Sequence, residues 1–368
     1  MKLSVQLVTW NGVRYLPALF ESLKNQTFRD WRLHLFDNGS TDDTIEYLQR
    51  HKNSIGVPMR LTCSRKNLGF VGGHNRLFQK YGSDSDLVLL LNQDMTLDPR
   101  CIEYLVRFMQ AHPHAAACTA RLMQMNDRSR IDTLGLKPCK NGRVVDWMNG
   151  KVWRDEVFWK LPNATEEYRC HSEGVSEASD DIISSSGDSI APASPPLQDD
   201  RLRYIEVFGV SGALPLFRSL IFKFLPGDDP LFDAQFFSYK EDVDLAWRLR
   251  RMGHKSYVLV DAVAYHDRSA AGPGSGDDFA TARHWIEKSK LVRKYSYRNH
   301  WLVIIKNVAL SPSMLWFEFK KLIYLLFREP GIVQFALNLG MIKSALRRRR
   351  IFNTARRVHP IELKRWMT

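Results

Sequence analysis

The run Leu87-Val88-Leu89-Leu90-Leu91, followed at once by Asn92-Gln93-Asp94, constrains this chain more than any other stretch. A short, wholly apolar run that ends in turn formers reads as a strand buried on both faces. Such strands belong to parallel sheets covered by helices. Ser4 to Val8, Arg32 to Phe36 and Met59 to Cys63 read as further strands. Apolar residues at helical spacing follow, such as Leu16, Leu19, Phe20 and Leu23 after the first strand and the Pro99 to Gln110 segment after the fourth. Alternating strands and helices predict a parallel sheet joined by right-handed crossovers. Sheets of this kind bind ligands at the carboxyl ends of their strands. Asp94 therefore stands where a carboxylate can hold a divalent cation against a diphosphate, although Asn and Asp also make ordinary turns at strand ends.

Five other stretches carry candidate chemistry. Val8-Thr9-Trp10-Asn11-Gly12 and Asp37-Asn38-Gly39-Ser40-Thr41-Asp42 end the first two strands. A carboxylate there can accept hydrogen bonds from a base or ribose, and glycine lets the backbone come close. The same residues also suit a plain turn with Ser40 or Thr41 as helix N-cap. Asn67-Leu68-Gly69-Phe70-Val71-Gly72-Gly73-His74-Asn75 puts three glycines before a helix expected to begin at Asn75. Amides at such a helix start can face an anion. The stretch is neither a Walker loop nor a G-x-G-x-x-G fingerprint. Phe237 to Arg248 places Glu241, Asp242 and Asp244 at the start of a helix predicted over 242–252 and closed by Gly253. Acidic residues there complement the helix dipole. Asp242 also shares a face with Leu245 and Ala246, so it can point into a cleft as a general base, with Arg248 able to pair with a carboxylate. Ala264-Tyr265-His266-Asp267 adds a lone histidine, which matters only if the fold carries it to Asp94.

Length and composition bound the rest. The 368 residues have a core-forming composition, 44% hydrophobic and 25% charged. The formal net charge of +13 implies an acidic partner. Arg347 to Arg350 and Arg356-Arg357 concentrate that charge near the end of the chain. After about Ala280 the pattern is wholly helical, with Trp301, Trp316, Phe319, Ile323 and Phe327 interleaved with Lys and Arg. Such helices suit a membrane interface, and a helical subdomain packed on the sheet or an oligomer contact is the alternative. No run of 18 apolar residues supports a spanning helix, and Leu3 to Trp10 reads as a strand, not a signal peptide. Cys63, Cys101, Cys118, Cys139 and Cys170 form no C-x-x-C pair, so free thiols in a reducing compartment are expected. Residues 172–200, rich in Ser, Asp, Pro and Gly, read as a disordered insertion. No nucleic-acid module appears, and nucleic acid is not an expected partner.

In this order and at these separations, the five stretches resemble the family 2 inverting glycosyltransferases of the GT-A fold, in particular the bacterial rhamnosyltransferase-like branch. The resemblance covers roughly residues 3–310 and includes Tyr297-Arg298-Asn299 and Lys306-Asn307. It implies an α/β fold with a Rossmann-like, mostly parallel sheet flanked by helices. A GT-A domain would span residues 1–275, with a nucleotide-sugar half (1–115) and an acceptor half (116–275). A basic helical region (276–368) would follow it and associate with an anionic membrane surface. By the resemblance Thr9, Asn11 and Asp37 line the nucleotide pocket, Asp37 meeting the base, while Asn67, Gly72, Gly73, Asn75 and Asn92 lie along the donor. Asp94, with His266 as a further ligand, holds Mg²⁺ or Mn²⁺, although Asn92 stands where many relatives have a second carboxylate. Asp242 is the catalytic base. Gly212, Glu241, Asp244, Trp247 and Arg248 support it or line the acceptor side.

The implied donor is dTDP-rhamnose or a UDP-hexose, and the implied acceptor a saccharide, lipid-linked at the cytoplasmic face of the inner membrane. This would place the protein peripherally on that face, in surface polysaccharide synthesis. Two other readings stand beside it. A nucleotidyltransferase would want a Gly- and Lys-rich loop where Asn11-Gly12-Val13-Arg14 stands. A non-catalytic, membrane-docked binding protein would not need Asp37, Asp94 and Asp242 together.

Overall fold

The computed structural model of the chain describes residues 1–168, 201–267, 289–308, 312–336 and 338–367. The expected insertion at 172–200 and the expected domain junction near 275 lie outside the described residues, as does Cys170. Strands β1 (Leu3–Thr9), β2 (Trp31–Asp37), β3 (Met59–Cys63) and β4 (Leu87–Leu91) pair in parallel in the order β3-β2-β1-β4. Helices α1 (Leu16–Lys24), α2 (Thr44–Arg50) and α3 (Gly69–Leu77) connect them. Every side chain of β4 is fully buried. Leu87, Leu89 and Leu91 face one core with Leu16, Leu19, Leu105 and Phe108. Val88 and Leu90 face the other with Val71, Leu245, Leu249 and Leu302. This two-sided burial is why the run lacks polar alternation.

Beyond β4 come β5 (Met95–Leu97), α4 (Cys101–Ala111), β6 (Ala115–Gln124), β7 (Ile131–Thr133), the hairpin of β8 (Leu136–Pro138) and β9 (Val144–Asp146), α5 (Asp155–Phe158) and β10 (Ala164–Tyr168). The chain continues through β11 (Arg201–Val207), β12 (Pro215–Arg218), α6 (Glu241–Arg251) and β13 (Lys255–His266). The sheet extends as β4-β12-β6-β13-β11-β10, with β12 antiparallel to both neighbours and β13 parallel to β6. The region after Ala115 supplies a long inner strand. Its Ala-Ala-Ala-Cys start carries no β-branched signature.

Five helical segments complete the fold: α7 (Lys290–Asn307), α8 (Pro312–Arg328), α9 (Pro330–Ala336), α10 (Leu339–Ala355) and α11 (Pro360–Lys364). Leu302, Val303 and Ile304 of α7 lie in one buried cluster with Leu245 and Leu249 of α6. The C-terminal helices thus share a core with α6. No described helix is long and apolar enough to cross a membrane.

The glycine-rich segment corrects the expectation of a loop opening a helix at Asn75. Helix α3 already starts at Gly69, which puts Gly72 and Gly73 inside it. Gly69 has φ +75°, and a Cβ there would stand 2.2 Å from the Phe237 carbonyl oxygen. Long-range packing selects this start, not local propensity. The N-cap of α2 is Asp43 instead of Ser40 or Thr41, and Asp42 Oδ1 accepts the Thr44 N–H at 3.1 Å.

Candidate functional site

The site forms where the strands end. After β4 the chain turns into β5, which pairs antiparallel with β13 so that Met95 faces His266. That register brings His266 Nε2 to 3.4 Å from Asp94 Oδ1. On the other side of the ring, Nδ1 lies 2.9 Å from Asp132 Oδ2. Burial by itself lowers the His266 pKa, but the carboxylates of Asp132 and Asp94 raise it to about 9. At neutral pH the ring thus carries two protons between two acids.

These residues fit a divalent cation. Asp132 fixes Nδ1 and aims Nε2 at the partly exposed Asp94 carboxylate, the arrangement that orients a metal-binding imidazole. Among the described residues no three His, Cys, Asp or Glu side chains form a metal cluster. Two protein donors suffice for Mg²⁺ or Mn²⁺, which take carboxylate, water and phosphate oxygens as well. A cation would compete with the Nε2 proton.

Gln93 joins this point to the end of β1. Its Oε1 accepts the Trp10 N–H at 3.0 Å, and its Nε2 donates to the Trp10 carbonyl at 3.2 Å. The Trp10 ring is 49% exposed at that strand end, an indole face available to stack on a base. Both stand in stretches the sequence reading quotes, but that reading gives neither residue a role. The signal was an aromatic residue at a strand end where only polar or small residues are needed for a turn.

The expected nucleotide wall is arranged differently from the sequence reading. Asp37 is fully buried. Its Oδ2 accepts the N–H groups of Gly39 and Ser40 at 3.1 and 3.0 Å, and its Oδ1 accepts the Ser40 hydroxyl at 2.5 Å and the Thr9 hydroxyl at 3.4 Å. Those four bonds use the carboxylate's acceptor positions, so Asp37 braces its own loop in this structure. Thr9 is buried behind it. Asn11 adopts φ +46° and accepts the Thr41 N–H at 2.8 Å, which also ties the loop.

The amides opening α3 are equally committed. Gly69 N–H donates to Asn67 Oδ1 at 2.7 Å, Phe70 N–H to Ser238 Oγ at 3.1 Å and Val71 N–H to the Phe237 carbonyl at 3.2 Å. No anion cradle remains at that helix start. A Cβ on Gly73 would meet Val8, one on Gly72 would meet Leu68, and Asn75 exchanges two hydrogen bonds with the Phe232 backbone. These three residues have packing roles in the fold. Asn92 lies in the turn itself, its N–H donating to the Ala213 carbonyl at 3.1 Å.

That last bond leads to Asp242. Gly212, the neighbour of Ala213, donates its N–H to Asp242 Oδ2 at 3.0 Å, and Val243 N–H donates to Oδ1 at 2.8 Å. One short segment therefore ties Asn92, two residues before Asp94, to the carboxylate of Asp242. Each Asp242 oxygen takes one backbone donor and keeps another acceptor position. Burial raises the Asp242 pKa against the pull of the Gly212 amide, which strengthens the side chain as a base near neutral pH. Asp242, Gly212, Leu245 and Ala246 line one small cavity, the face expected from their helical spacing.

Glu241 is buried and its Oε2 has no hydrogen-bond partner among the described residues. Burial, with Asp242 adding, raises its pKa to about 8. A raised acid stabilises the fold fully below its unfolded pKa and loses that contribution as pH climbs through the folded value. Between pH of about 4.5 and about 8, the wild type should therefore lose stability relative to Glu241→Gln. Melting temperatures of both proteins across that range check it, and parallel curves would contradict it.

The segment leading into α6 is strained and clamped. Tyr239 and Lys240 both adopt left-handed φ, +75° and +67°, which costs non-glycine residues about 1–3 kcal/mol each. Asn299 of α7 holds them, its Nδ2 donating to the carbonyls of Ser238 at 2.8 Å and Tyr239 at 2.7 Å. Arg298 donates to the Gln235 carbonyl at 2.6 Å. Lys306 Nζ sits 2.5 Å from Asp233 and 2.7 Å from Asp244. Arg248 pairs with Asp244 at 3.2 Å, not with Asp242. Against the upward push of burial, Lys306 and Arg248 keep the Asp244 pKa low. Asp244 is thus a structural anion, and Trp247 packs on Phe208 in the core.

Comparison with known proteins agrees with this architecture. Residues 4–154 match the model of the family described as glycosyl transferase family 2. The chain is 26% identical over 277 residues to N-acetylglucosaminyl-diphospho-decaprenol L-rhamnosyltransferase of Mycobacterium tuberculosis, covering 73% of this chain and 76% of that protein. It is 26% identical over 113 residues to the putative glycosyltransferase EpsE of Bacillus subtilis, a match that spans 31% of this chain and only 40% of that relative's length. The crystal structure of GalNAc-T7 with UDP, GalNAc and Mn²⁺ superposes with a TM-score of 0.55 at 12% identity, covering 96% of this chain and 54% of that one. At that identity the likeness concerns the fold.

Proposed function

We propose, from the premise that this chain belongs to glycosyl transferase family 2 and has the GT-A fold, that it transfers a sugar from a nucleoside diphosphate to an acceptor hydroxyl with inversion. The observation that carries this reading is the link from Asp242 through Gly212 and Ala213 to Asn92, beside Asp94. It supports a single crevice with a base at one wall and a cation site at the other. In the reaction Asp242 takes the proton of the acceptor hydroxyl. The freed oxygen forms its bond to the anomeric carbon from the face opposite the diphosphate, and the bond to the diphosphate breaks with its electron pair. A divalent cation held by Asp94 and His266 would neutralise the charge that gathers on the leaving diphosphate. Trp10 is suited to stack on the base.

A deoxyhexose donor such as dTDP-rhamnose and a lipid-linked saccharide acceptor are favoured by the mycobacterial relative, whose name states both a rhamnosyl transfer and a diphospho-decaprenol acceptor. A UDP-hexose remains the second donor class, and GalNAc-T7 was crystallised with UDP and Mn²⁺. A lipid-linked acceptor calls for an enzyme peripheral to the membrane, which we place on the cytoplasmic leaflet.

The test is release of nucleoside diphosphate from a panel of sugar nucleotides with Mn²⁺ or Mg²⁺. No release from any donor, with or without a saccharide acceptor, would sink the assignment. Asp94→Asn is expected to weaken donor binding in the presence of the cation and to leave binding in chelator unchanged. Calorimetric titration with and without metal measures this, and an equal loss in both conditions would remove Asp94 from the cation site.

A further inference from the structure

The four-arginine run on α10 is divided by the fold. Arg348 turns inward to Asp229 and Asp233, and Arg349 donates to the carbonyls of Ile305 and Val308 at 2.9 and 3.0 Å. Ala345 and Phe352 are buried on that same side. Lys343, Leu346, Arg347, Arg350 and Ile351 recur at i, i+3, i+4, i+7 and i+8, the spacing of a single opposite face. They form one open stretch of surface. Leu346 and Ile351 are exposed, and α10 contains no acidic residue to neutralise the three cations.

A second helix shows the complementary half of the pattern. Met314, Glu318 and Leu325 of α8 are buried, while Trp316, Phe319, Ile323 and Phe327 face outward, Trp316 at 59% and Phe327 at 87% exposure. Lys320 lies over the Trp316 ring at 5.1 Å. Monomeric proteins seldom leave so many large apolar side chains uncovered along one helix. On each helix by itself exposed cations stand beside exposed apolar groups, Arg347 and Arg350 by Leu346 and Ile351 and Lys320 by Trp316, which matches an anionic bilayer, where the former meet headgroup phosphates and the latter enter the acyl boundary.

We propose that the outward faces of α8 and α10 dock this protein on an anionic phospholipid surface, with Lys343, Arg347 and Arg350 as the headgroup contacts. This deepens the lipid-linked acceptor reading and rests on it only for the purpose of docking. It also separates the inward arginines, which hold the fold, from the outward ones, which are free for lipid.

The test is co-sedimentation of the full chain with vesicles of phosphatidylcholine alone or mixed with phosphatidylglycerol. The wild type should prefer the anionic vesicles and be released by high salt. At about 1 kcal/mol for each basic residue near the surface, Lys343→Ala/Arg347→Ala/Arg350→Ala should bind on the order of a hundredfold more weakly. A second variant, Trp316→Ser/Phe327→Ser, should lose the binding that remains at high salt. Both should keep the wild-type melting temperature and sugar-nucleotide hydrolysis without vesicles. Equal affinity for both vesicle types overturns the proposal. So does undiminished binding by the basic-face variant, or a solution dimer that these substitutions break while vesicles recruit neither protein. If no protein turns over any sugar nucleotide but the vesicle pattern holds, the transferase reading fails and the docking surface stands.

Discussion

Asp242→Asn is expected to slow sugar transfer by on the order of 10²–10⁴-fold while leaving donor affinity and melting temperature close to wild type. The amide keeps the shape of the side chain, and its one oxygen can still accept the Gly212 N–H that holds it at 3.0 Å, at the loss of the weaker-placed bond from the adjacent Val243 N–H. What disappears is the ability to take a proton. Because burial raises the Asp242 pKa, the wild-type rate should also fall on the acid side at a pH above the ordinary carboxylate range. Initial rates across pH, with a nucleotide-binding titration on both proteins, measure the two effects. Full activity in the asparagine variant would remove Asp242 as the base, and lost donor binding would assign it to the donor side.

The second large effect concerns stability. Lys306 is 1% exposed and lies between Asp233 and Asp244, both as deeply buried. Lys306→Met keeps most of the side-chain volume but removes the charge, leaving two carboxylates with one partner fewer. Removing one member of a buried ionic group costs about 3–5 kcal/mol. Arg50→Ala, which breaks the solvent-exposed pair with Glu46, should cost well under about 1 kcal/mol. Denaturant unfolding of both variants makes the comparison. If Lys306→Met is no worse than Arg50→Ala, the buried network does not stabilise the fold as argued.

The strands of the first half were legible because their burial is written locally. Leu87 to Leu91 is apolar throughout because both faces of β4 are covered. The position of Asp242 on α6 was likewise readable from helical spacing. The glycine-rich segment was not, because Gly69 and Gly73 are helical for reasons that lie elsewhere in the chain: the Phe237 carbonyl and the Val8 side chain. Asp37 looked like a ligand because its type and place suit one, yet hydrogen bonds from Thr9, Gly39 and Ser40 claim it. The meeting of Asp94 with His266 depends on strand pairing across more than 160 residues, which no local pattern encodes. The arginine run showed its charge but not its division, since Arg348 and Arg349 find partners only in folded neighbours.

The Asn299 clamp has a consequence for dissecting the protein. The family match ends at residue 154, which tempts one to seek an independent N-terminal module or to trim the helical tail. A fragment ending before Asn299 would strip the braces from Ser238 and Tyr239, and any ending before Lys306 would take that partner from the acids at 233 and 244. A fragment meant to keep this entry into α6 braced must therefore run at least to Lys306.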